Sequence, residues 1–554
     1  METAIQYHSK RFEALKKERQ SFESKWTACS ELMMPTRGRY QMQDVNQGGE
    51  RFGNVEDETA MMARRAMSAG MMAGITSPAR PWFRLMTADP AMMEYYPVKT
   101  YLNEVEQQLR LIFARSNLYQ VLPNLYDEMG VIGTGAMMML EDYDSVVRFT
   151  GLTHGEYYVA TDYRGVVDTL YRRYPMTVGQ IAQRGWMENA TAQVKRLHER
   201  GEQDAWVEVI HGIEPNKQHR PEQPGSWAWV SVYFQPEQKE NQFLHRGGYA
   251  QFPACVPRWN VAGGDVYGTD CPGFQALRIT RALQVEKKEK LAGIQKQVKP
   301  PLKGSAELKA ARISHIPGDI TYLPQSALKG AVLEPLYHVP LNLNDLTREI
   351  AESRQIVEHI FYKDLFLMLA SSDRRQMTAR EVEVRHEEKL LMLGPVLERL
   401  HNELLDPLID RVFAVAQSAG VLPDPPEELA GQELRVDYIS ILAQAQQAVG
   451  TRAIEAVYGF AGELAKIEPG VLDKLDADEA LSAYSTMLGA PANILRSEAS
   501  VKQKRQQQAA LLQQTQQMQQ LQQGAEMAQT LGDVDMQGVG EIAQVLQGAA
   551  HVQP

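Results

Sequence analysis

The residues from Thr378 onward constrain what this chain can fold into more than any other stretch. Leu390, Leu393, Leu397, Leu400, Leu404, Leu408 and Val412 recur every three or four residues, the period of one apolar helix face. Thr378 and Glu381 have the spacing of a capping box, in which each side chain satisfies an amide at the helix start. A helix is therefore predicted over 378–423; at 1.5 Å per residue its roughly 40-residue body would extend about 60 Å. Gly394, Pro395 and Pro407 lie inside it, and a proline removes an amide donor and crowds the preceding turn, so at least one kink is expected. Such a rod is far longer than the three or four turns usual in a compact domain. It points to a part of a larger assembly.

The connection leading into that rod is equally unusual. A helix is predicted over 342–361 from the spacing of Leu346, Ile350, Ile356, Val357 and Ile360. Between it and Thr378 lies a segment longer than the two to eight residues common in bundles. It is apolar in Leu365, Phe366 and Met368, and basic in Lys363, Arg374 and Arg375. Either it forms a projecting loop, or 361–369 continues the helix and leaves a short turn.

Upstream, helices are expected over 5–33, 56–74, 101–116 and 121–132, then a mixed α+β block over 137–261. Its strands fall at 146–151, 156–160, 166–174, 206–212 and 227–234, with a short helix at 177–185. Met61, Met62, Met67, Met71 and Met72 suit either core packing or a subunit interface. Gly133-Thr-Gly135 is too short to cradle phosphate and reads as a hinge or a tight contact; no GxxxxGK[ST] occurs. A long helix over 274–296 precedes a proline-punctuated excursion to about residue 340. Helices resume over 438–488, and a glutamine-rich segment follows from about 500.

With 554 residues and an apolar fraction of 44%, the chain can build several cores. A net charge of −11 argues against a protein that coats nucleic acid generally, but leaves room for a local basic surface. Lys287, Lys288, Lys290, Lys296, Lys299, Lys303, Lys309 and Arg312 outnumber Glu289 and Glu307 in one run, either a solvated face or a surface that meets phosphate. Three scattered cysteines, Cys29, Cys255 and Cys271, indicate neither a zinc site nor a disulfide framework, and no other metal or cofactor site is expected. No apolar run is long enough to span a bilayer, and the start lacks a signal-peptide pattern. Without a phosphate loop, and with its acids mostly on helices, the chain does not read as an ATPase or a metal nuclease. A helical scaffold protein is the other structural reading.

Several motifs, taken in order, resemble the portal (head-to-tail connector) proteins of short-tailed bacteriophages. They are Arg80–Leu85 (RPWFRL), Tyr267-Gly268, Met377–Val382 (MTAREV), Leu393–Leu400 (LGPVLERL), Leu405–Leu408 (LDPL), Ala490–Leu495 (APANIL) and Lys502–Gln506 (KQKRQ). The resemblance implies a mainly helical α+β subunit, a ring of probably twelve copies at one capsid vertex, and no enzymatic activity. By order it implies a wing over 1–268, stem helices over 269–296 and 341–361, a clip over 297–340 and a tunnel loop over 362–377. It further implies a long kinked helix over 378–423, a crown over 424–500 and a C-terminal segment over 501–554. Double-stranded DNA would pass through the channel near Lys287, Lys288, Lys290, Lys296, Lys299, Lys303, Arg374 and Arg375. The implied partners are the terminase packaging motor, a tail adaptor, and capsid and scaffolding proteins, with assembly in the host bacterial cytoplasm and no membrane.

Overall fold

The computed structural model describes residues 3–41, 55–236 and 242–303 apart from positions 90, 91, 94 and 224, then 334–336, 343–370, 393–439 apart from 430–433, and parts of 454–510. The chain divides into two compact units, Met1–Arg452 and Ala453–Pro554.

The first unit is built on α1 (Ala4–Met33), started by a capping box between Thr3 and Gln6. Its Phe12 and Leu15 lie on one face of a five-stranded antiparallel sheet, against Tyr158, Tyr171, Ile210, Val232 and Phe234. Further along, Trp26, Cys29 and Met33 enter the main core. Burying a side chain the size of Phe12 contributes about 2–3 kcal/mol. α2 (Thr59–Ile75) leads to β1 (Arg84–Thr87), α3 (Tyr96–Arg115) and α4 (Leu118–Ile132). Met67 and Met71 are fully buried, Met61 and Met72 are partly buried and Met62 is half exposed, so the cluster is core on one side only.

β2 (Ala136–Asp142) and β3 (Val146–Leu152) form a hairpin, and β9 (Ala254–Cys255) joins β2 on its other edge. The larger sheet runs β4 (Tyr157–Thr161), β5 (Val167–Thr177), β6 (Trp206–Pro215), β7 (Trp229–Phe234) and β8 (His245–Tyr249) in sequence order. α5 (Val178–Gln183) and α6 (Ala192–Glu199) cover its second face through Val178, Ile181 and Val194. Residues 245–249 and 192–199 were not expected as elements. β12 (Leu434–Asp437) pairs antiparallel with β1, Leu85 opposite Val436. The first compact unit therefore runs past residue 424, where the crown was expected to begin.

α7 (Pro272–Val298) and α8 (Leu343–Ile360) pack antiparallel, within two residues of the predicted boundaries. Between them β10 (Leu302–Lys303) pairs with β11 (Glu334–Pro335), so the excursion does contain β structure. After a turn at Phe361 and Tyr362, where Tyr362 adopts a left-handed φ of 55°, the chain resumes as α9 (Lys363–Ala370). This corrects both expectations for the segment: 363–370 is neither loop nor continuation of the preceding helix. Asp-Leu-Phe-Leu-Met-Leu-Ala contains no helix breaker, and Leu365 and Phe366 bury themselves on α2. Gly70 makes room for that contact, since a Cβ there would lie 2.3 Å from Phe366. Met368 lies in this helix. Arg374, Arg375, Thr378 and Glu381 lie outside the described residues.

The long helix reappears as α10 over residues 393–400, widens into a π turn at His401–Leu405, and continues as α11 (Asp406–Ser418). In an α-helix the ring of Pro407 would strike the carbonyl of Glu403. The five-residue turn relieves that clash, so the irregularity takes the form of a change of register. Arg258 clasps the turn, donating from Nη2 to Glu403 Oε1 at 2.6 Å and to Gly165 O at 2.9 Å.

In the second unit, Asp476 caps α12 (Ala477–Met487) by accepting from the amides of Asp478 and Glu479 at 3.0 and 3.1 Å. Arg505, at the start of the glutamine-rich segment, donates to Asp478 on that helix at 2.8 Å.

His8 makes folding of the first unit sensitive to acid. Its Nδ1 lies 2.7 Å from Tyr171 Oη and 3.8 Å from Glu214, and burial first, with Arg246 adding to it, lowers its pKa from 6.5 to about 4. The folded state thus binds the proton less well than the unfolded one. The stability contributed is complete above about pH 6.5 and is lost as pH falls towards 4, on the order of 3 kcal/mol. His211, buried against Tyr233, shifts in the same direction. Urea titrations of His8→Asn at pH 7 and pH 4 should show the stability difference reduced by about that 3 kcal/mol. An unchanged difference would remove His8 from the account.

Candidate nucleic-acid interface

α7 begins with Pro272 in its first turn, where the missing amide costs nothing. Ala276, Leu277, Thr280 and Leu283 turn inward and are buried. On the opposite side Arg278, Arg281, Val285, Lys288, Lys296 and Lys299 are exposed, with Ala292 half-buried among them. Their spacing of three or four residues lines them up along about 30 Å of helix. The stripe is mainly cationic, and the exposed acid Glu289, four residues after Val285 and three before Ala292, lies on the same side.

The structure separates the lysines that composition had grouped. Lys288, Lys296 and Lys299 belong to the stripe, whereas Lys287 and Lys290 do not. Lys287 Nζ lies 3.7 Å from Asp57 Oδ2, and Lys290 donates to Thr347 Oγ1 at 2.8 Å. Asp57 is nearly inaccessible and also receives Arg354 at 2.6 Å and the Thr59 amide at 3.0 Å. Burial alone would raise its carboxyl, but the hydrogen bonds from Thr59 and Arg354 outweigh this and hold its pKa below the usual value. Lys287 thus lies on the side of α7 that faces Asp57, at the start of α2, and its 3.7 Å approach helps fasten α7 there. Lys290 is likewise tied to α8. Lys303 is exposed in β10, opposite Glu334.

Arg278 and Arg281 were missed because they precede the dense charge run. Extending the three- and four-residue spacing back from Lys288 through Val285 would have found them. Lys363 donates to Glu358 at 2.5 Å, while Leu365 and Phe366 are buried and so unavailable to a channel. Gly133 and Gly135 hold no ligand cradle: a Cβ on Gly133 would meet Gly268 O at 2.8 Å, so the site is a tight backbone contact. Among the described residues no group of three or more acids, histidines and cysteines is placed to hold a metal, and no helix is long and apolar enough to cross a membrane.

The described residues form a mainly helical α+β subunit, with a charged helical hairpin carried on a sheet-containing body. The chain belongs to the bacteriophage head to tail connecting protein family, whose model matches residues 6–495. It is 41% identical to the portal protein of Salmonella phage epsilon15, across 98% of each chain. It is 43% identical to the probable portal protein of Bordetella phage BPP-1, across 95% of each. Among solved structures it is similar to a chain in the virion of a native gene transfer agent particle, with a TM-score of 0.34 and 12% identity over 78% of this chain and 89% of that one. A chain in the neck of the empty particle gives a TM-score of 0.32 and 14% identity, over 82% and 96%.

Proposed function

We propose that the chain is a portal subunit, copies of which close into a ring of about twelve at one capsid vertex. Double-stranded DNA passes through the ring during packaging and ejection without sequence recognition. The role is structural, and the terminase motor, tail adaptor, capsid and scaffolding proteins dock on it in the host cytoplasm. In this reading α7 and α8 are the stem, with the wing before α7 and the clip between the two helices. The observation that carries this reading is identity of 41% and 43% to two phage portal proteins over nearly the whole chain. Negative-stain imaging of the purified protein tests it: rings with a central hole are expected, and a monomeric globule overturns it.

In this reading the α7 stripe lies along the DNA path. A channel that lets DNA slide must hold phosphates weakly, and a few cations on an acidic chain meet that need better than a dense basic lining. Changing Arg281, Lys288 and Lys299 together to glutamine should leave rings intact and reduce the salt dependence of DNA retention. The log–log slope should fall by about one for each cation in contact, equally for unrelated sequences. Retention unchanged at low and moderate salt would make the stripe a solvated face.

A further inference from the structure

We propose that the outer edge of β8 is a docking site for an extended acidic segment of another protein, which adds to the five-stranded sheet as a sixth strand. The edges of the two larger sheets differ in how their backbone groups are met. On β3, Asn117 stands in for a neighbouring strand, accepting from the Phe149 amide at 2.8 Å and donating to the Phe149 carbonyl at 2.7 Å. On β4, Arg19 donates to the carbonyls of Gly155 and Tyr157 at 3.0 and 2.8 Å, and the Val159 amide donates to Tyr267 Oη at 3.1 Å. β9 is buried. β8 has no such cover. Hydrogen-bonded and non-bonded pairs alternate along an antiparallel ladder. The Asn216 amide donates to Ala228 O, so Val230, Val232 and Phe234 bond to β6, leaving Trp229, Ser231 and Tyr233 for β8. Their partners are Tyr249, Gly247 and His245. Arg246 and Gly248 therefore turn both N–H and C=O outward, where no group among the described residues meets them.

An unpaired edge is a template for another strand, and β8 carries neither the proline nor the bulge that would blunt it. Gly247 keeps it uncrowded: the nearest atom to a Cβ built there is His245 Nε2, at 3.4 Å. That is the opening a second backbone needs. Charge selects the occupant. Arg246 is exposed on the face shared with Gly248, where Trp227, 47% exposed, adds apolar surface. On the other face Arg184 lies 4.8 Å above the Trp186 ring, which stacks on His245. A strand meeting cations on both faces is matched by acidic side chains. A second copy of this chain fits poorly. Its own β8 would set the Arg246 cations against each other, and its β3, β4 and β9 edges are already filled or buried. The edge belongs to the single subunit, so it is present whether or not copies close into a ring.

The test uses the full chain and a capped peptide in which glutamate alternates with valine. The peptide should bind and slow hydrogen exchange over residues 245–249, whereas a lysine-for-glutamate version should not. Arg246→Gln removes the charge and keeps the amide, so it should weaken binding by about two- to fivefold. Arg246→Pro also removes the outward amide and should weaken it by about tenfold or more beyond that. Because that amide has no partner within the chain, the proline variant should keep the parent's urea midpoint. Equal binding by the two variants would show that the backbone edge takes no part, and overturns the proposal. So does a proline variant that fails to fold, slow exchange at residues 245–249 in the free protein, or failure of the glutamate peptide to bind. Equal binding of the lysine peptide overturns the acidic occupant.

Discussion

Replacing Gly268 by alanine is expected to cost the first unit more than about 4 kcal/mol, among the largest effects a single methyl group can have. A Cβ at Gly268 would lie 2.0 Å from Gly133 O and 2.7 Å from its carbonyl carbon. Both atoms are backbone, so no side chain can swing aside. The Gly133 turn at the end of α4 is itself held from several directions. The Trp259 amide donates to Gly133 O at 2.9 Å, and the Gly268 amide donates to Thr134 Oγ1 at 2.8 Å. Gly133 takes a φ of 84°, which favours glycine, so it cannot readily be reshaped to accommodate a substitution opposite. A few residues on, Gly273 repeats the arrangement: a Cβ there would lie 2.4 Å from Val131 O. These contacts seat the start of α7 directly on the end of α4. Urea denaturation of Gly268→Ala should show a midpoint far below that of the parent, or no folded transition at all. Gly264→Ala is the control, because no atom lies within 4 Å of its added Cβ; it should stay within about 0.5 kcal/mol of the parent. Equal stability of the two variants would mean that the backbones do not cross as described.

The elements legible in the sequence were those whose signal is local. α1, α7 and α8 follow from apolar residues repeating every three or four positions, and β5, β6 and β7 from runs rich in Val, Ile, Tyr and Trp. β8 was not expected, and Gly247 and Gly248 interrupt its run of strand-forming residues. In the structure Gly248 is a strand residue whose missing side chain admits Trp227, a Cβ there falling 2.4 Å from the ring system. β12 was missed because its four residues gain their order from β1, roughly 350 positions earlier, and no local pattern encodes such a partner. For α9 a projecting loop and a continuation of the preceding helix were both open, and no local pattern announces the left-handed turn at Tyr362 that separates it from α8. The basic site was legible as a cluster but not as a surface. Counting charges groups Lys287 with Lys288, whereas helical geometry separates them by about 100° and Asp57 claims the first.

Breaking the Arg258–Glu403 clasp should be the second large effect, about 3–5 kcal/mol for Arg258→Met. The Arg258 side chain is 4% exposed and that of Glu403 16%. The guanidinium donates to both carboxylate oxygens, Nη2 to Oε1 at 2.6 Å and Nε to Oε2 at 3.1 Å. The Arg258 amide adds a third bond to Oε2 at 2.9 Å. Removing the guanidinium leaves a largely buried carboxylate with Arg399 as its remaining cation, at 3.2 Å and on its half-exposed side. It also strips the carbonyls of Gly165 and Val266 of a donor. Glu403→Gln is milder, because the amide oxygen can still accept while Arg258 keeps both carbonyls; its cost should be about 1–3 kcal/mol. Once the carboxylate is gone, losing the arginine no longer strands a charge, so the double variant should be more stable than the two costs predict. A coupling of about 2 kcal/mol in that cycle, read from urea midpoints at constant m, is the expected result. Strict additivity would show that the arginine acts only through the two carbonyls, and that the π turn of the long helix holds its register without the ion pair.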